Sequence, residues 1–100
     1  MSKQEIEKHL PIMKAMIRMT KDDGKEYGFV LCDGWHMIPG EGSHDMVFIG
    51  SCPIEEDTTL SFHTHPSGST YPSREDIETW RRRNVKIACI GTQKEIRCFI

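Results

Sequence analysis

Between Thr58 and Asp76 the chain changes its period once, and both sides of the change are marked. Thr58 to His65 alternates: Leu60, Phe62 and Thr64 point to one face, and Ser61, His63 and His65 to the other. Pro66-Ser67-Gly68-Ser69 breaks that strand. Ser73 to Arg83 then reads as a helix with Ile77 and Trp80 on its buried side. The Ser73-x-x-Asp76 spacing is that of a capping box. The seven residues between His65 and Ser73 are enough to bring the helix start back over the strand end. A strand, a tight loop and a capped helix must therefore meet at one point.

The rest of the chain supplies layers around that point. Ile6, Leu10, Met13, Met16 and Ile17 fall at helical spacing, with Pro11 suited to a first helical position. The spacing predicts a main helix starting near Pro11, preceded by a looser turn and closed at Asp22-Asp23-Gly24 with Gly24 as C-cap. Tyr27 to Cys32 reads as a buried strand, Asp33-Gly34 as a hairpin turn and Trp35 to Ile38 as the returning strand. Pro39 to Ser43 reads as a loop and Met46 to Ile49 as a third strand. Val85 to Ile90 and Glu95 to Ile100 read as two more strands joined by a turn at Gly91 to Lys94. The order predicts an α/β protein of the α+β kind, with helices packed on a mixed sheet. At 100 residues this is one domain, 1–100.

The residues gathered at the turning point carry chemistry. Histidines at i and i+2 of a strand project from one face, so both imidazoles can reach one ion. Asp76, in the first turn of the next helix, adds a carboxylate. Two nitrogens and one oxygen leave a fourth position open, which is the pattern of a catalytic zinc site rather than a structural one. Each part has a plainer reading: Ser73-x-x-Asp76 as a helix cap alone, and His63-x-His65 as surface histidines. Their occurrence together, in this order, favours the metal site.

His63-x-His65-Pro66 followed by Ser73-x-x-Asp76 resembles the JAMM motif of the JAB/MPN metalloproteases, spacing for spacing. The His-Pro-Ser-Gly and Pro-Ser-x-x-Asp-Ile pattern is also similar to the RadC-like branch. The resemblance implies a JAB/MPN domain, a curved mixed sheet flanked by helices with cytidine-deaminase-like layering. It implies His63, His65 and Asp76 as ligands of one zinc ion per chain, and Ser73 as an aid to the oxyanion. It also implies a glutamate general base at the start of the first strand, where Glu26 stands. In the family a glycine or alanine follows that glutamate by three positions; here Gly28 follows by two. Glu41, Glu55 and Glu56 fall in loops.

The implied activity is that of a zinc-dependent metallopeptidase or isopeptidase. Its substrate would be a protein or peptide, with the C-terminal tail of a ubiquitin-like modifier as one class. The compact spacing from Glu26 to His63 resembles prokaryotic-type enzymes. A non-catalytic zinc-binding module of the same fold and a RadC-like domain are the alternatives. His9, His36 and His44 read as structural or exposed, Trp80 as core and Arg81-Arg82-Arg83 as a solvated helix end. Thr70 and Tyr71 would border a substrate groove.

A net charge of −2 and a pI near 6.2 argue against nucleic acid or an anionic membrane as the main partner. The sequence has no apolar run near the roughly 20 residues needed to cross a bilayer. Cys32, Cys52, Cys89 and Cys98 show no Cys-x-x-Cys spacing and read as reduced, buried cysteines of a cytoplasmic protein.

Overall fold

The computed structural model describes residues 2–32, 37–42, 47–48, 52–53 and 55–99. Helix α1 spans Ser2–Asp23. Strands β1 (Tyr27–Cys32), β2 (Met37–Gly42), β3 (Val47–Phe48) and β4 (Thr58–Thr64) follow. Helix α2 (Arg74–Arg82) leads to β5 (Ile87–Gly91) and β6 (Ile96–Phe99). The described strands form one mixed sheet in the order β3-β2-β1-β4-β5-β6. Every neighbouring pair is antiparallel except β4 and β5, which run parallel and are joined through α2.

Strand parity divides the sheet into two faces. Tyr27, Phe29, Leu31, Leu60, Phe62, Ile87 and Cys89 share a buried cluster with Met13 and Met16 of α1. Thr64 continues that face: its Oγ1 accepts from the Tyr27 amide at 2.9 Å and also hydrogen-bonds the Thr20 hydroxyl of α1. A Cβ at Gly91 would lie 2.8 Å from the Phe62 ring and 2.9 Å from Ile17, so only glycine lets β5 pack this close. The opposite face carries Trp80 of α2, whose ring lies 5.7 Å from Phe99 and 6.5 Å from His63.

Four expectations change. Helix α1 does not begin near Pro11 but runs through it. Ile6 and Leu10 pack on the core ahead of the proline, and Met13, Met16 and Ile17 behind it. Burial on both sides outweighs one lost hydrogen bond, and Pro11 and Glu7, whose carbonyl loses its donor, are both exposed. Pro39 to Gly42 is strand, not loop, because it pairs with Phe29, Gly28 and Tyr27 of β1. On its other side the described pairing sets Glu41 opposite Phe48 and Gly42 opposite Val47 of β3.

Ile77 is exposed rather than buried, and Trp80, expected on the same buried side, is only half-buried against Phe99; no residue of α2 is buried. The cysteines, finally, are paired: Cys32 with Cys52 and Cys89 with Cys98. Register sets Cys89 directly opposite Cys98 across β5 and β6, a proximity that linear spacing cannot reveal. The cytoplasmic expectation loses the support it drew from reduced thiols.

Strand β1 has its expected bounds, and β4, α2, β5 and β6 overlap theirs. Gly24 closes α1 with φ +73° and its amide on the Thr20 carbonyl at 2.8 Å. The hairpin at Asp33-Gly34, together with His36 and His44, lies outside the described residues. No helix among the described residues is long and apolar enough to cross a membrane.

Candidate metal centre

The α2 face of the sheet gathers the candidate ligands. β1 and β4 are antiparallel with Gly28 opposite His63, so Glu26 falls opposite His65 and shares its face. The early glycine therefore does not turn Glu26 away. Parity is set by Glu26 and His65 themselves, and Gly28 leaves no side chain opposite the His63 imidazole. Ligand atoms of Glu26, His63 and His65 all lie within 4.8 Å of one another. Glu26 and His63 are buried and His65 is partly so.

Asp76 closes the group from α2. Its Oδ2 lies 3.4 Å from His63 Nε2 and 3.5 Å from His65 Nε2, and the two Nε2 atoms are 2.9 Å apart. Three ligands of a tetrahedral zinc at about 2.0–2.1 Å would stand roughly 3.3 Å from each other. The observed triangle has that size.

The tautomer of His65 agrees with a cation. Its Nδ1 lies 2.8 Å from the Ser69 carbonyl, which can only accept, so Nδ1 carries the proton. In the neutral ring Nε2 is then a lone pair aimed at His63 Nε2 and Asp76 Oδ2. An outer hydrogen bond of this kind is what orients metal-binding histidines. The donor set thus fits a zinc ion.

The electrostatics point the same way. Burial works to push the Asp76 carboxyl up, but His63 and His65 beside it outweigh burial and hold it well below the usual carboxylate range. Burial works to lower His65, yet Asp76, the Ser69 carbonyl and Glu26 together raise it above 6.5.

The capping box and the ligand set share atoms rather than compete. Ser73 Oγ accepts from the Asp76 amide at 3.1 Å, and Asp76 Oδ2 accepts from the Ser73 amide at 2.9 Å. The cap uses a lone pair of Ser73 Oγ and leaves its hydroxyl hydrogen free to be donated.

All five residues singled out from the sequence, Glu26, His63, His65, Ser73 and Asp76, meet here. His9 does not: its Nδ1 bonds the Glu5 carbonyl at 2.8 Å. Tyr71 is 74% exposed, whereas Thr70 turns inward and its hydroxyl donates to Glu95 Oε1 at 3.1 Å. The parts that sequence reasoning missed are the Ser69 carbonyl and Glu95. Both depend on loop conformation, which leaves no spacing signal.

Comparison with known proteins accords with this geometry. The family model described as prokaryotic homologs of the JAB domain matches residues 53–99. A JAB1/MPN domain protein from Archaeoglobus fulgidus shares the fold, with a TM-score of 0.52 and 22% identity over 87% of this chain and 82% of that one. No curated protein gives a significant match. The prokaryotic JAB match thus lies over the ligand segment, and the chain shares the JAB1/MPN fold across most of both chains.

Proposed function

We propose that this protein is a zinc-dependent amide hydrolase of JAMM type, a metallopeptidase or isopeptidase. The observation that carries the reading is the convergence of His63, His65 and Asp76 on one point, with the buried Glu26 carboxylate beside it. His63 Nε2, His65 Nε2 and Asp76 Oδ2 would hold the ion. A zinc ion there supplies Lewis acidity, acidifying a water molecule and polarising a carbonyl.

The chain's own groups do the rest. Glu26 takes a proton from the attacking water as its oxygen bonds to the carbonyl carbon. Ser73 donates its free hydroxyl hydrogen to the oxygen on which charge develops. Glu26 then delivers the proton to the leaving nitrogen as the C–N bond breaks, giving a carboxylic acid and an amine. The substrate class that fits best is an extended peptide or isopeptide, such as the C-terminal tail of a ubiquitin-like protein, which can add alongside a sheet.

Zinc content and turnover test the reading together. Untagged protein should hold about one zinc per chain by elemental analysis, and Asp76→Ala should lose most of it. Glu26→Gln should keep zinc while turnover of peptide or isopeptide substrates falls about 10²–10⁴-fold. No zinc in the unmutated protein after incubation with the ion would overturn the metal assignment. Zinc without turnover in either protein would leave a binding module.

A further inference from the structure

The loop that carries His65 is tied to the β5–β6 turn at both ends. At its start the His65 amide donates to the Gly91 carbonyl at 3.1 Å. Near its far end the Thr70 hydroxyl, on a buried residue, donates to Glu95 Oε1 at 3.1 Å. Between these ties stands the Ser69 carbonyl that holds His65 Nδ1.

Glu95 is itself fixed. Its amide donates to Thr92 Oγ1 at 3.2 Å, and its carbonyl accepts from the Thr92 amide at 2.8 Å and from the Thr92 hydroxyl at 3.2 Å. Its Oε1 also takes Arg97 Nε at 3.3 Å. The Arg97 guanidinium lies 5.7 Å from the centre of the Tyr71 ring, the residue after Thr70. One carboxylate oxygen therefore joins the turn, an arginine and the ligand loop.

We infer that Thr70 and Glu95 are positioning residues for the metal centre, setting the Ser69 carbonyl so that His65 presents Nε2 to the ion. The inference rests on the metal reading above and deepens it. Neither residue touches the ion; each acts through the next. Thr70 is bonded to the residue whose carbonyl does the orienting, so a displaced Thr70 moves that carbonyl directly. Loss of such an outer partner typically weakens metal binding about 10–100-fold.

Zinc affinity by competition with a chromophoric chelator tests this without any substrate. Thr70→Val removes the hydroxyl at nearly constant shape and should weaken zinc binding about 10-fold or more. Thr70→Ser keeps the hydroxyl and should restore affinity to within about twofold of the unmutated protein. Glu95→Ala, at a half-exposed side chain, should match Thr70→Val. The double variant should bind no worse than either alone, because both break one path.

Thermal unfolding of the chelator-stripped proteins separates positioning from general damage, since the midpoints should stay close while the zinc affinities diverge. Unchanged zinc affinity in Thr70→Val and Glu95→Ala overturns the inference alone. So does a loss shared equally by Thr70→Ser that follows the fall in metal-free midpoint. Failure of the unmutated protein to bind zinc overturns the metal reading, and this inference with it.

Discussion

His63 and Asp76 face each other across 3.4 Å, yet they are held by opposite means. His63 stands on an interior strand whose neighbours on both sides are paired, with Leu60 and Phe62 fully buried on the same strand. Asp76 stands in the first turn of a helix without a buried residue. It is fixed by the Ser73 cap, by the histidines themselves and by whatever Trp80 contributes against Phe99. Folding the sheet therefore builds half of the centre, with Glu26, His63 and His65 set by strand register. The other half is hinged on a short amphipathic helix, and a bound ion would bring most to that half.

The largest expected effect tests the sheet side against the helix side. Phe62→Ala should cost about 3–5 kcal/mol of stability by urea unfolding. Trp80→Ala, removing a half-buried ring, should cost on the order of 1–2 kcal/mol. Equal losses would break the comparison, since α2 would then be as firmly packed as the sheet.

Next comes Gly91→Ala. The added methyl meets Phe62 and Ile17 below 3.0 Å, so the variant should lose about 1–3 kcal/mol. An unchanged urea midpoint would mean that α1 yields to the sheet more easily than their close packing implies. Ser73→Ala should then lose about 1 kcal/mol through the cap. Hydrogen exchange should locate that loss, with amides of α2 accelerated and those of β4 unaffected; acceleration spread over both would remove the distinction.

The smallest effect is one of pH. In metal-free protein His65 lies above its ordinary 6.5, so its contribution is full below 6.5 and fades as pH rises through the folded value. Asp76 lies below its ordinary 3.8, so its contribution is present above that pH and fades as pH falls below it. Stripped protein should therefore gain stability from pH 8 to pH 6, read as a rising thermal midpoint. Zinc-loaded protein should do the reverse over the same interval, because protons compete with the ion for imidazole. Slopes of the same sign would count against imidazole ligation.

What could be read in the sequence divides along similar lines. β1 was legible at its observed bounds, and so were the strand carrying His63 and the cap at Ser73, because each is written in local period and local chemistry. The facing of Glu26 toward His65 follows from parity once the antiparallel pairing is known. Features set by partners distant in sequence were hidden. Pro11 looks like a helix start until the apolar residues on both sides of it find one core. Cys89 and Cys98 look unpaired until register puts them opposite. Thr70 looks like a groove border until its hydroxyl turns to Glu95, 25 positions away.

The bond between Cys89 and Cys98 has a further consequence for that last contact. β6 is an edge strand of four residues, held in the described sheet by β5 alone, and strands of this kind are the first to peel away. The covalent link fastens it to an interior strand, so Glu95 and Arg97 stay in place through fluctuations that hydrogen bonds alone would not resist. A thiol reductant in the buffer removes that fastening. Zinc titrations with and without reductant would then report on two forms of one site, the second with a looser hold on His65.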